Sequence, residues 1–275
     1  ITVLDQFEPR TGGEIAVSEA AVDTLVRHFT LLPSMTDDRS GHRLVGRGVA
    51  ADATAVEFIG RGQEMELLQS LLDRATRGQG QAVLIVGGAG IGKSRLLREF
   101  RQHLPDDAID VFEGRCAAYG ANAPYFPILE ILQGVCGIQE TDPFETVDAK
   151  VVAALDRVGP SGAAWSPYVQ YLLNPRKRDE LSGQTPDLIK ACTFDALRHL
   201  VLWQQDRRPL LLVIEDLHWV DKTSEELLAS LAEVLLGARV LLIATCRAGY
   251  QPSWIGRPNV TQIGLGPLSP LERRR

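Results

Sequence analysis

From Ala82 the chain runs apolar through Val86 and passes directly into Gly87-Gly88-Ala89-Gly90-Ile91-Gly92-Lys93-Ser94. A continuous apolar run of this kind suits a strand buried on both faces of a parallel sheet. The eight residues that follow fit GxxxxGK[ST], the Walker A pattern. Leu96, Leu97 and Phe100 then continue as one face of a helix. Glycines at these positions let the backbone wrap a phosphate chain and aim N–H groups at it. In that pattern Lys93 reaches the β- and γ-phosphates and the Ser94 hydroxyl ligates Mg2+. Strand, loop and helix in this order predict a nucleotide site rather than a bare turn.

Similar apolar runs recur at Leu210–Ile214 and Val240–Ala244, with a weaker one at Val260–Ile263. Helical spacing separates them: Met65, Leu68, Leu71, Leu72 and Ala75, then Ser94 to His103, Leu188 to Trp203 and Ser224 to Leu236. Between about Pro124 and Leu200 the pattern is mostly helical. Strands alternating with helices predict an α/β fold around a parallel sheet. The second run ends in Glu215-Asp216, as a Walker B strand does, which places carboxylates at the ligand-binding carboxyl end of such a sheet. By order, Glu215 would hold Mg2+ and Asp216 would orient or deprotonate the attacking water; a shift of one residue in this assignment stays open. The third run ends in Thr245-Cys246-Arg247, which puts a hydroxyl and a cation at the edge of the γ-phosphate, where developing charge can be stabilised. Asp221 is placed to cap the helix that carries Glu225 and Glu226. His218 reads as a residue that packs or supports its neighbours rather than as a proton shuttle.

Composition narrows the function classes. The net charge of −6, from 29 Lys and Arg against 35 Asp and Glu, argues against a broadly basic nucleic-acid surface. The apolar runs are far too short to span a bilayer. Four cysteines lie far apart without a CxxC pair, the pattern of reduced cytosolic thiols. A cytoplasmic location is expected, with no membrane partner and no direct nucleic-acid binding by this segment.

Ahead of Gly60, short strands surround one helix. Glu14–Ser18 alternates like a strand, Ser18 caps a helix from Glu19 to about His28, and Phe29–Leu32 forms a strand stopped by Pro33. Thr36–Gly41 reads as a polar turn, with strands over Arg43–Val49 and Ala55–Ile59. This is too little core for a whole domain. Ile1 at one end and Leu271-Glu272-Arg273-Arg274-Arg275 at the other read as cuts in a longer protein.

Taken together, Phe58-Ile59-Gly60-Arg61…Glu64, GGAGIGKSRL, CAAYGANAPYFPILEIL, LLLVIEDLHWVD and LLIATCR resemble the ATPase module of STAND signal-transduction proteins. Within that group the resemblance is to the AAA-type module found behind class III nucleotide cyclase domains and in large LuxR-type transcriptional regulators. It implies a P-loop NTPase three-layer sandwich over residues 58–275, with sheet order 5-1-4-3-2 and truncated before a lid and winged helix. It implies ATP as the nucleotide, Gly60 and Arg61 near the adenine, and Tyr119 with Pro124-Tyr125 in a loop beside the nucleotide. It also implies a switch in which ATP binding permits an active state and slow hydrolysis resets it, with self-association or sensor and effector domains as partners.

Residues 1–57 resemble the C-terminal end of a class III cyclase domain, a small α+β remnant, through Gly13–Ala20, Phe29–Pro33 and Leu44–Val49. The metal aspartates of that family would precede Ile1. Its transition-state Asn and Arg would meet Ile1 and Asp5, the wrong chemistry, so this segment is not expected to make a cyclic nucleotide. The rival readings are an ATP-binding scaffold that does not hydrolyse, the ATPase module of a regulated cyclase, and a DNA-remodelling or initiator ATPase.

Overall fold

The computed structural model describes residues 15–17, 29–36, 39–47, 60–105, 107–118, 124–159 and 162–267. The chain divides into two compact units, Ile1–Phe58 and Ile59–Arg275.

In the first unit, β1 (Ile15–Val17), β2 (Phe29–Thr36) and β3 (Arg39–Arg47) form an antiparallel sheet in the order β1-β3-β2. Two expectations are corrected. Pro33 does not stop its strand: β2 runs through it to Thr36, with Pro33 opposite His42. The strand lies at the edge of the sheet, where a missing N–H on the open side costs no ladder bond. The polar stretch is also a tighter turn than expected, because Thr36 pairs with Arg39 and Met35 with Ser40. The expected helix from Glu19 and the strand over Ala55–Ile59 lie outside the described residues.

The second unit carries a parallel sheet of β4 (Gln81–Gly87), β5 (Asp110–Arg115), β6 (Leu210–Glu215), β7 (Val240–Cys246) and β8 (Val260–Leu265). Its order is β5-β6-β7-β4-β8. Counted within the unit and read from the other edge, this is 5-1-4-3-2, as expected. Helices α1 (Gly62–Thr76) and α2 (Lys93–Gln102) pack against β4, and α1 also against β7. The helices α3 (Phe126–Cys136), α4 (Phe144–Asp156), α5 (Gly162–Leu173) and α6 (Pro186–Arg207) form a long insertion between β5 and β6. A helix α7 (Lys222–Val234) joins β6 to β7.

Alternation along the strands builds two cores. Leu210, Leu212 and Ile214 of β6, with Val240, Leu242 and Ala244 of β7, join one cluster with Ile128, Ile131 and Leu132 of α3, Leu197 and Leu200 of α6, and Leu227, Leu228 and Leu231 of α7. The intervening residues Leu211, Val213, Leu241 and Ile243 are as deeply buried and point to the opposite face. Each such side chain contributes roughly 1.5–3 kcal/mol relative to exposure. Strands apolar on both faces cannot sit at a solvated edge, so β4, β6 and β7 occupy the middle. Their carboxyl ends then emerge side by side, and the functional side chains gather there. Among the described residues no helix is long and apolar enough to cross a membrane.

Candidate functional site

The loop from Gly87 to Gly92 leaves β4 and turns into α2. Gly90 and Gly92 hold φ values of 70° and 102°, a region that disfavours side chains, so the glycines are what allow the turn. Lys93 is buried to 9% exposure, and its Nζ donates to the Gly87 and Gly88 carbonyl oxygens at 2.9 and 2.8 Å. The ammonium is thus stowed against the loop that precedes it, and a phosphate can draw it off by offering charged oxygens in exchange. Gly88, Ala89 and Gly90 are exposed.

Beside this loop the Ser94 hydroxyl donates to Glu215 Oε2. Glu215, at the end of β6, is 4% exposed, and its Oε1 accepts from Arg115 at 2.9 Å. Arg115 stands opposite Glu215 in the β5–β6 register, and Glu113, two residues earlier, shares its face. Arg101 of α2 donates to Glu113. Two carboxyls, Glu113 and Glu215, thus lie side by side between two guanidinium groups, Arg101 and Arg115. Burial pushes the Glu113 carboxyl up, helped by its hydrogen bond to Glu215 and opposed by Arg101. Burial would also raise Glu215, but hydrogen bonds from Glu113 and Ser94 and the Arg115 guanidinium outweigh it and hold its carboxyl below the ordinary value. Of the two, Glu215 is the carboxyl held toward its ionised form. A serine hydroxyl and an ionised carboxylate within hydrogen-bond reach are hard oxygen donors, a set that fits Mg2+.

Asp216 follows with φ 58°, and its N–H donates to Thr245 Oγ1 at 3.0 Å. This bond joins the turn after β6 to β7. Arg247 lies exposed just beyond β7. Asp221 caps α7 as expected, accepting from the Ser224 N–H at 2.9 Å and from its hydroxyl at 2.5 Å.

Gly60 and Arg61 are both left-handed, at φ 74° and 63°, and start α1. The Arg61 guanidinium binds the Glu64 carboxylate at 3.0 Å, the Gly266 carbonyl at 2.5 Å and the Ile91 carbonyl at 3.5 Å. It thereby ties the start of α1 and the segment after β8 to the phosphate-type loop. Tyr125 stands in the turn that opens α3, its ring buried edge-on against Phe194 of α6, and burial pushes its hydroxyl up to about 12. Tyr119 lies outside the described residues. Sequence reasoning missed Arg115, Glu113 and Arg101. Their signal is visible only once β5 is placed beside β6.

A model of the AAA ATPase domain family matches residues 57–243. The chain belongs to that family. A nucleotide-binding ATPase module is therefore its core, and such modules usually work with Mg2+. An uncharacterized protein of Rhizobium meliloti (strain 1021) is 32% identical over 236 residues, covering 85% of this chain and 23% of the relative. The chain thus spans less than a quarter of the length of that relative. Among solved structures, Drosophila ORC bound to DNA is similar at 12% identity and TM-score 0.44, over 92% of this chain and 56% of that one. C. elegans PCH-2 is similar at 9% identity and TM-score 0.36, over 96% and 75%.

Proposed function

We propose that this AAA ATPase module binds and hydrolyses Mg-ATP as the nucleotide switch of a multidomain signalling regulator of the STAND type, LuxR-like or cyclase-linked. The observation that carries the reading is the Ser94 hydroxyl set against the buried, ionised Glu215, with Lys93 stowed on the adjoining loop. In this reading Gly87, Gly88, Ala89, Gly90, Ile91 and Gly92 wrap the phosphates, Lys93 swings onto the β- and γ-phosphates, and Ser94 and Glu215 hold Mg2+. When bound there, the metal would supply charge neutralisation to the phosphates. Asp216 orients or deprotonates the attacking water and Arg247 meets the charge that develops on the γ-phosphate. Gly60 and Arg61 flank the adenine, a role supported by the contact of Arg61 with the loop at Ile91. The three-stranded unit ahead of Phe58 is read as the end of a cyclase-like domain, and partner domains or self-association as the route by which the switch is heard.

One observation favours a second reading, a scaffold that binds ATP without hydrolysing it: Arg115 already neutralises Glu215. The test is Mg2+-dependent ATP binding and turnover on the parent chain and on Lys93→Ala and Asp216→Asn. The switch reading expects Lys93→Ala to abolish binding and Asp216→Asn to abolish turnover while binding survives. Binding without turnover, in this chain and in the full-length protein, selects the scaffold. A folded parent that binds no nucleotide refutes both.

A further inference from the structure

Strand β5 lies at the edge of the sheet and pairs with β6 alone. Along such a strand the backbone N–H groups point alternately to the partner and to the open edge. The Asp110 N–H donates to the Pro209 carbonyl at 3.0 Å and the Cys116 N–H to the Glu215 carbonyl at 2.8 Å, so the even-numbered residues face β6. The N–H of Arg115, the last residue of the strand, faces the open side. Glu130 of α3 covers it, its Oε2 accepting that N–H at 2.8 Å.

The local sequence is what brings α3 so close. Gly114 has no side chain, and a Cβ there would run into the Pro127 carbonyl oxygen. The first turn of α3 therefore lies directly on the end of β5. Glu130, three residues after Pro127, shares the same helix face.

Arg115 carries the effect into the site. Its guanidinium donates to Glu215 Oε1 at 2.9 Å, while Oε2 of the same carboxylate accepts from the Ser94 hydroxyl. The two oxygens thus have separate partners, and with Oε1 held the other is turned toward the serine. A guanidinium at the end of a long side chain keeps this aim only while its own backbone is fixed. Pairing with β6 secures the residues on either side of Arg115, and Glu130 secures Arg115 itself. An N–H donating to a carboxylate makes a charge-assisted bond, the stronger kind.

We propose that Glu130 is a positioning residue for the metal site, fixing the end of β5 so that Arg115 holds Glu215 with Oε2 presented to the cation beside Ser94. The inference rests on the reading of Ser94 and Glu215 as the Mg2+ ligands. It extends that site into the long insertion between β5 and β6, which thereby gains a hold on the metal without touching it.

The test reads metal affinity instead of turnover. Mn2+, which takes the same hard oxygen donors as Mg2+, is titrated against the ADP-loaded chain by electron paramagnetic resonance. Glu130→Leu removes the acceptor, Glu130→Ala serves where leucine is not accommodated, and Glu130→Gln keeps one oxygen. The expected result is a loss of about tenfold in Mn2+ affinity for Glu130→Leu, the lower end of the range for groups that orient metal ligands. Glu130→Gln stays near the parental value. In an Arg115→Met background Glu130→Leu costs nothing further, because the residue it positions is gone. Parental affinity in Glu130→Leu, a Glu130→Gln as weak as Glu130→Leu, or an equal loss with and without Arg115 overturns the role of Glu130 and leaves the metal site standing. A parent that holds Mn2+ no better than ADP alone overturns the assignment of the metal ligands, and a folded parent that binds no ADP overturns the nucleotide site; this inference falls with either.

Discussion

Replacing Thr245 by Val removes one atom that the site depends on and changes almost nothing else. Thr245 is 1% exposed, and its Oγ1 accepts the Asp216 N–H at 3.0 Å. Valine fills the same space without offering an acceptor, so the Asp216 N–H is stranded at the end of two central strands. A buried donor without a partner costs about 1–3 kcal/mol. Asp216 also holds φ 58°, a conformation that costs a non-glycine residue about 1 kcal/mol and persists only while its surroundings impose it. With the bond gone, that segment is free to relax and carry the carboxylate away from its place. The expected loss of about 2 kcal/mol corresponds to a fall in melting temperature of roughly 4–8 °C for a unit of this size. A displacement near 1 Å is enough to lower ATP turnover by about a hundredfold. Thr245→Ser keeps the acceptor and is expected to restore both. Calorimetry and steady-state turnover on the two variants decide the matter. If Thr245→Val melts and turns over like Thr245→Ser, the bond is not what holds Asp216.

Two further substitutions test the frame of the site. At Gly114 in β5, a Cβ would fall 2.0 Å from the Pro127 carbonyl oxygen in the first turn of α3, backbone that cannot give way cheaply. Gly114→Ala is therefore expected to lose about 3 kcal/mol, the upper end of ordinary overpacking, read by urea denaturation. Arg115→Gln takes the cation from Glu215. The folded-state carboxyl of Glu215 is depressed, so its contribution to stability is present above the ordinary carboxylate value and lost as the pH falls through the folded one. The variant is expected to be less stable than the parent near pH 7, by no more than about 1 kcal/mol because Arg115 is half exposed, and the difference is expected to shrink as the pH falls through the folded-state value.

The central strands were legible because burial on both faces forces an unbroken apolar run, and Ala82–Val86, Leu210–Ile214 and Val240–Ala244 have nothing else to be. The glycine-rich loop was legible for a related reason: few backbones need Gly90 and Gly92 at positive φ with a lysine directly after. Strand β5 was not. It lies at the sheet edge, and in Asp-Val-Phe-Glu-Gly-Arg only Gly114 is fully buried, so no apolar period marks it. Arg115 and Glu113 were invisible with it, since their importance comes from the register with Glu215 and not from any local pattern. Pro33 misled because proline ends most strands, and only the pairing partner shows that β2 is an edge.

The order of the sheet also governs when it can form. β4 emerges early, yet its partner on one side is β7: Val83 pairs with Ile243, about 160 residues further along the chain, and on the other side with Thr261 of β8. Contacts so distant in sequence slow folding, because loop closure is costly before the pairing rewards it. At about 5–20 residues per second of synthesis, β4 and the loop it carries wait roughly 8–30 s before either neighbour exists. An apolar strand with two open edges is exposed throughout that interval, so chaperone demand and aggregation should be greatest for nascent chains that end between β4 and β7, and a pulse of proteolysis on stalled ribosomes would find its cut sites there.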